Sequence, residues 1–174
     1  MSERAKPSPT QIHKPVQIRA GEELLPFDPG ARADASVTFI GRIRSPWSPE
    51  DCPKSIRRAR ETGQGAHIEL DAGYGPGVLG LEVGQAVVLL YWMDRGRRDL
   101  IVQRPGHVTG PRGTFALRSP LRPNPIAMAT VRITRLEPST GVIGIDAIDC
   151  FDGTPLLDMK PWVPGIDLLD TPSV

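Results

Sequence analysis

The chain has no run approaching the roughly eighteen consecutive apolar residues of a membrane-spanning helix, and its first residues lack the apolar stretch of a secretory leader. These absences point to a soluble cytoplasmic protein without a membrane partner. Only two cysteines occur, Cys52 and Cys150, and three histidines, His13, His67 and His107. Neither set has metal-ligand spacing, so free thiols and no metal are expected. Aromatic residues make up 5% of the chain, too few for the base-stacking sheet of an RNA-recognition domain. No strand leads into GxGxxG, and neither a Walker loop nor a GxSxG elbow is present, which argues against a dinucleotide site, a P-loop and a hydrolase elbow. An excess of one charge is also missing, because 21 Lys and Arg face 20 Asp and Glu for a net charge of +1. Any contact with nucleic acid must therefore rest on a local patch.

The 174 residues suit one domain with a real core plus some tail. Seventeen of the cations are Arg and four are Lys; Arg forks suit phosphates and carboxylates, although a GC-rich genome yields the same bias. Residues 1–35 contain KPSP, PFDPG and ARADA, interrupted by Pro and Gly without periodicity, and read as an arm or tail outside the core. From Val37 onward, VTFIGRIRS, HIELD, VVLLYWM, TFALR, IAMATVRITRLE and VIGIDAIDC read as strands, each rich in β-branched or aromatic residues and bounded by Gly, Pro or Asp. In the fifth, Ile126, Met128, Thr130, Arg132 and Thr134 share one face, and Ala127, Ala129, Val131, Ile133 and Arg135 the other. The expected fold is mainly β, a small antiparallel β-barrel with few short helices, over residues 36–167 with a short tail at 168–174. SIRRARETG is a short helix or a loop, and LGLEVGQ is broken by its glycines.

Three stretches hold the polar residues of interest. RSPLRPNPIAM carries three prolines within six residues, which fix their own φ and restrict Ser119, Arg122 and Asn124 before them. Such a loop either presents Arg118, Arg122 and Asn124 to a polar ligand or merely sets the register of the strand that follows. DCFDGTPLLDMKPW gathers Asp149, Asp152, Asp158 and Lys160 around a DGT turn, closing a hairpin or building a polar pocket. DCPKSIRRAR, with Lys54, Arg57, Arg58 and Arg60, is the densest cation run, with Arg95, Arg97 and Arg98 a second; each is a solvated surface or a phosphate contact. No nucleophile or Ser/His/Asp set accompanies them, so residue chemistry alone stops short of a reaction.

IGRIRSP, GLE, GTFALRSPLRPNPIAM and DCFDGTPLLDMKPWVP, in that order, resemble the TsaA-like (YaeB/TrmO) family of S-adenosylmethionine-dependent tRNA methyltransferases over roughly residues 36–167. The resemblance implies a small β-barrel outside the Rossmann-like class, working as a homodimer with the cofactor near the subunit interface. It implies methylation of the exocyclic nitrogen of threonylcarbamoyladenosine beside the anticodon of tRNA. Carried over residue by residue, it assigns S-adenosylmethionine contacts to Arg118 and Met128, to Asp152, Gly153, Thr154 and Pro155 of the DGTP turn, to Pro53, Lys54 and Ser55, and to Met93 and Asp94. Two segments depart from the family: Pro53-Lys54-Ser55 stands where it reads PRQ, and Met93-Asp94 where it commonly begins with His. These departures bear on substrate recognition and proton removal, and leave open a same-fold methyltransferase of a small molecule or another RNA, or a non-catalytic cofactor-binding module. Asp94, Asp152 and Asp158 are the candidates for a proton acceptor, with Asp158 and Lys160 expected to pair. The additional C-terminal domain of longer members does not follow KPWVP, which assigns any tRNA grip to the barrel, a dimer surface or the arm.

Overall fold

Short β-branched runs cut off by Gly, Pro and Asp build sheet rather than helix throughout residues 18–31 and 34–169, which the structure, a computed structural model, describes. In chain order the strands are β1 (Glu23–Leu24), β2 (Gly41–Arg44), β3 (Ala66–Leu70), β4 (Ala86–Trp92), β5 (Leu100–Gln103), β6 (Arg112–Gly113), β7 (Ile126–Glu137), β8 (Val142–Ile145) and β9 (Thr154–Pro161). Helices α1 (Ile56–Glu61) and α2 (Pro164–Asp167) are short. Six strands close into an antiparallel barrel in the order β2-β3-β8-β7-β4-β9, with β9 pairing back onto β2. A small sheet, β1-β5-β6, stands beside it.

Alternation fills the barrel. Along β4, Val87, Leu89 and Tyr91 point inward, and Ile43, Ile68, Ile133, Ile143, Ile145 and Leu156 join them essentially without solvent exposure. Each such side chain contributes about 1.5–3 kcal/mol on burial. The barrel is narrow where β2 meets β3: a Cβ on Gly41 would lie 2.2 Å from the Glu69 carbonyl oxygen, so only glycine fits.

Several sequence expectations need correction. TFALR is not a strand; Thr114–Ala116 forms a 3-10 turn, because the Thr114 hydroxyl is buried between Gln103 Nε2 and the Leu100 carbonyl at 2.8 Å each and folds the chain back on β5. The DGT turn closes no hairpin between neighbours: β9 leaves it to pair with β2 and β4, strands from far earlier in the chain. On β7 the predicted faces hold to Ile133, after which a bulge against β8 turns Arg135 outward and Leu136 toward the core. Ser55 caps α1, its hydroxyl accepting from Arg58 N at 3.3 Å, so SIRRARETG is the helix. Part of the N-terminal arm is docked, since β1 pairs with β5. Residues 1–17, with His13, and residues 170–174 lie outside the described residues.

Candidate functional site

The proline loop is braced from both ends. Arg98 donates from Nε to the Pro123 carbonyl at 2.6 Å and from Nη2 to Asn124 Oδ1 at 3.3 Å, while its guanidinium lies 5.6 Å from the Trp92 ring centre. Arg122 turns back on its own loop, Nη1 reaching the Leu117 and Ser119 carbonyls at 3.1 and 3.3 Å. Asn124 and Arg122 therefore hold the loop in shape. Ser119 Oγ accepts from Leu121 N at 3.2 Å in the same local net. Arg118 is left to face the cleft, its Nη2 anchored on the Met128 carbonyl at 2.8 Å, so the Arg118–Met128 pair drawn from the motif is a direct contact across loop and strand.

Residues 148–153 form the opposite wall, stitched to the segment after β2. Trp47 Nε1 donates to the Ile148 carbonyl and Ser45 Oγ to that of Cys150, each at 2.7 Å, and Asp152 N donates to the Trp47 carbonyl at 3.0 Å. The stitching sets the half-buried Asp149 beside Tyr91, whose hydroxyl donates to Asp149 Oδ1 at 3.2 Å. Burial pushes the Asp149 carboxyl above its ordinary range, while the Tyr91 hydroxyl, its own backbone N–H, the Arg118 charge and the Ile56 backbone pull it back. Burial, then the Asp149 charge, drives Tyr91 upward, so the phenol remains a donor. Cys150 is pushed to about 12 and Cys52 to about 11, in both cases mainly by burial, and neither thiol supplies a nucleophile at neutral pH.

Arg118, Asp149 and Tyr91 share an open cleft of ≈ 860 Å³ with Lys54, Ser55, Asn124 and Met128. A connected hollow of ≈ 460 Å³ brings Pro53, Met93 and Ser119 to the same Arg118, Tyr91 and Asp149. Met93, Asp94 and Thr154 meet in a smaller cavity of ≈ 200 Å³ beyond Pro120. Asp152, Gly153, Pro155 and Asp158 line none of these clefts. Asp152 ties its turn to the segment after β2, accepting from Ser45 N at 3.2 Å with Arg44 at 3.8 Å. Gly153 takes a left-handed φ of 77° while its N–H donates to the Ile43 carbonyl, and Pro155 is buried opposite Arg42. Thr154 Oγ1 donates to the Phe151 carbonyl at 2.7 Å. Asp158 pairs with Lys160 on the partly exposed second half of β9. Motif reading passed over Tyr91, and it grouped Asp149 with the DGT turn without placing it among the proton-acceptor candidates. The apolar-strand position of Tyr91 marked it as core, and the neighbouring DGT turn drew attention from Asp149. Among the described residues no group of three or more metal ligands assembles, and no helix is long and apolar enough to cross a membrane.

A closed antiparallel barrel with a proline-framed Arg on one wall of a cleft and a half-buried carboxylate on the other is a ligand-binding β-barrel outside the Rossmann class. Residues 42–168 match the family model of the tRNA-methyltransferase O N-terminal domain. The chain belongs to that family. It is 37% identical over 162 residues to a probable S-adenosyl-L-methionine-binding protein, VirR, of Rhizobium radiobacter, covering 92% of this chain and 89% of that protein. Over 67 residues it is 42% identical to a tRNA (adenine(37)-N6)-methyltransferase of Eikenella corrodens, 37% of this chain and 38% of the other. The crystal structure of TrmO from Pseudomonas aeruginosa superposes with a TM-score of 0.61 at 31% identity, over 78% of this chain. The chain spans 59% of the length of that structure.

Proposed function

We propose that this protein is an S-adenosylmethionine-dependent tRNA methyltransferase that methylates the exocyclic nitrogen of threonylcarbamoyladenosine beside the anticodon, acting as a homodimer with the cofactor near the interface. The observation that carries the reading is the convergence of Arg118, Tyr91 and Asp149 on one cleft within a chain whose residues 42–168 match the family. The donor set fits the cofactor: Arg118 offers a fork to a carboxylate, and Asp149 a carboxylate to a cation. Ile126, Ala127 and Met128 supply an apolar floor. When bound, S-adenosylmethionine supplies an electrophilic methyl group.

A nitrogen held between a purine and a carbamoyl group is a weak nucleophile, and its proton must leave as the new N–C bond forms. Asp149 is the proton acceptor in this reading. Its burial raises its basicity, and the Tyr91 hydroxyl holds one of its oxygens in place. At that edge of the cleft Lys54 and Ser55 offer a point charge and a hydroxyl in place of an Arg fork and a longer amide.

A second reading, a cofactor-binding module without turnover, is favoured by the name of the Rhizobium radiobacter relative and by the changed Lys54-Ser55 and Met93-Asp94 segments. One experiment separates the readings. The purified protein is incubated with methyl-labelled S-adenosylmethionine and total tRNA from a strain lacking the gene, and the nucleosides are resolved by mass. Methylated threonylcarbamoyladenosine is the expected product. Label on another nucleoside reassigns the substrate, and bound cofactor with no RNA product establishes the binding module.

A further inference from the structure

A second cleft, of ≈ 510 Å³, opens beside the first and shares Lys54 and Arg118 with it. The N-terminal arm contributes Arg19 and Glu22, and the ends of β5 contribute Arg97 and Arg104, so five cations face one carboxylate. That carboxylate is occupied: Glu22 accepts from Arg19 N at 3.0 Å and Arg104 N at 3.1 Å, which ties the arm to the end of β5. Arg97 is matched by Asp99 through two bonds of 2.7 and 2.8 Å.

The remaining cations form no ion pair among the described residues. Arg19 Nη1 donates to the Arg104 carbonyl at 3.1 Å, and Arg104 Nη1 to the Ala20 carbonyl at 3.2 Å. A carbonyl accepts an N–H without cancelling the charge, and each guanidinium keeps further donors for an anion. Among the described residues, none of Arg19, Lys54, Arg104 and Arg118 has a carboxylate within the 4.0 Å of an ion pair. Four such cations along one cleft exceed what a single small carboxylate needs and suit successive phosphates of a polyanion.

We infer that this cleft is a phosphate-binding site for the RNA backbone flanking the nucleotide in the first cleft, and that the N-terminal arm builds it. The inference rests on the reading of this protein as acting on RNA. It also explains how a chain of net charge +1 can hold RNA: the cations are concentrated where the arm meets the proline loop.

The test uses the full chain with R104Q, R19Q and R104K, tRNA lacking the modification, and S-adenosylmethionine in separate titrations. R104Q and R19Q are each expected to weaken tRNA binding about 3- to 10-fold and to flatten the slope of log K against log salt by about 0.7–0.9, leaving cofactor affinity unchanged. R104K is expected to keep the slope. An unchanged slope in both Gln variants overturns the inference. So does a loss of cofactor affinity, which would make the cleft part of the cofactor site, or an equal loss in R104K with a lowered Tm, which would make Arg104 a fastener of the arm. Binding is read without turnover. A salt slope that responds in a protein that methylates no tRNA therefore overturns the substrate reading and leaves the cleft standing.

Discussion

Asp149 is under opposing demands. Burial disfavours its ionised form, yet a proton acceptor must be ionised, and Tyr91 and Arg118 lie where they hold the charge in place. Because its folded pKa is raised, the native state binds this proton more readily than the unfolded chain. Its contribution to stability is therefore greatest below the unfolded value, about 4, and declines as pH rises through the raised folded value. Asp149→Asn should flatten the fall of Tm over that window, read by thermal melts across it. The same variant keeps a hydrogen-bonding amide but loses the charge, so cofactor affinity should fall by no more than about tenfold while turnover falls by on the order of 10²–10⁴-fold. Normal turnover in D149N would remove Asp149 from proton transfer. Arg118→Ala, by contrast, should weaken cofactor binding by about tenfold or more, the loss of a charged hydrogen bond, with Tm nearly unchanged. A lowered Tm at unchanged cofactor affinity would make Arg118 a brace for β7. Arg118 was readable from its motif because the Pro-rich spacing is local. Asp149 was not, because what distinguishes it from Asp152 is burial against Tyr91, a residue 58 positions away.

Strand existence was legible where the pattern is local, as in the β-branched and aromatic run of β4 and the alternation of β7, and illegible where tertiary contacts decide. The buried Thr114 hydroxyl makes a turn of a β-prone segment. β9 reads as a hairpin arm because the partners that claim it, β2 and β4, lie far away in sequence. The closure of the barrel depends on such a long-range pairing, and its tightest point is β2. Gly41 faces Leu156 on one side and Leu70 on the other, with no room for a Cβ against the Glu69 carbonyl. Gly41→Ala must push β2 away from β3, at a cost of about 1–3 kcal/mol. Since a chain of this size loses about 2–4 °C per kcal/mol, the Tm should fall by several degrees. Asp149 is stitched to the segment after β2, so the affinity for cofactor should fall with it. An unchanged Tm in G41A would mean that the strands separate more easily than their geometry implies.

At the scale of the whole molecule, the candidate site is more open than a small-ligand site should be. Its rim carries Phe115 at 78% exposure, and its apolar floor leaves Met128 at 49% and Ile126 at 43% exposed around a cationic centre. Water around Arg118 and Asp149 screens both groups and weakens their hold on a ligand. The proposed homodimer would cover this rim and dry the cleft, which connects a family expectation of assembly to a physical need of this site. Phe115 sits on the 3-10 turn before the proline loop and contributes little to its own barrel, so it is a clean probe of assembly. Phe115→Asp is expected to change the stability by no more than about 0.5 kcal/mol when measured at concentrations where the parent is monomeric. In sedimentation it should shift a dimer to monomer, and it should weaken cofactor binding about tenfold by losing an aromatic anchor. A parent chain that sediments as a monomer while binding cofactor tightly would defeat the homodimer and require one protomer to close the cleft alone.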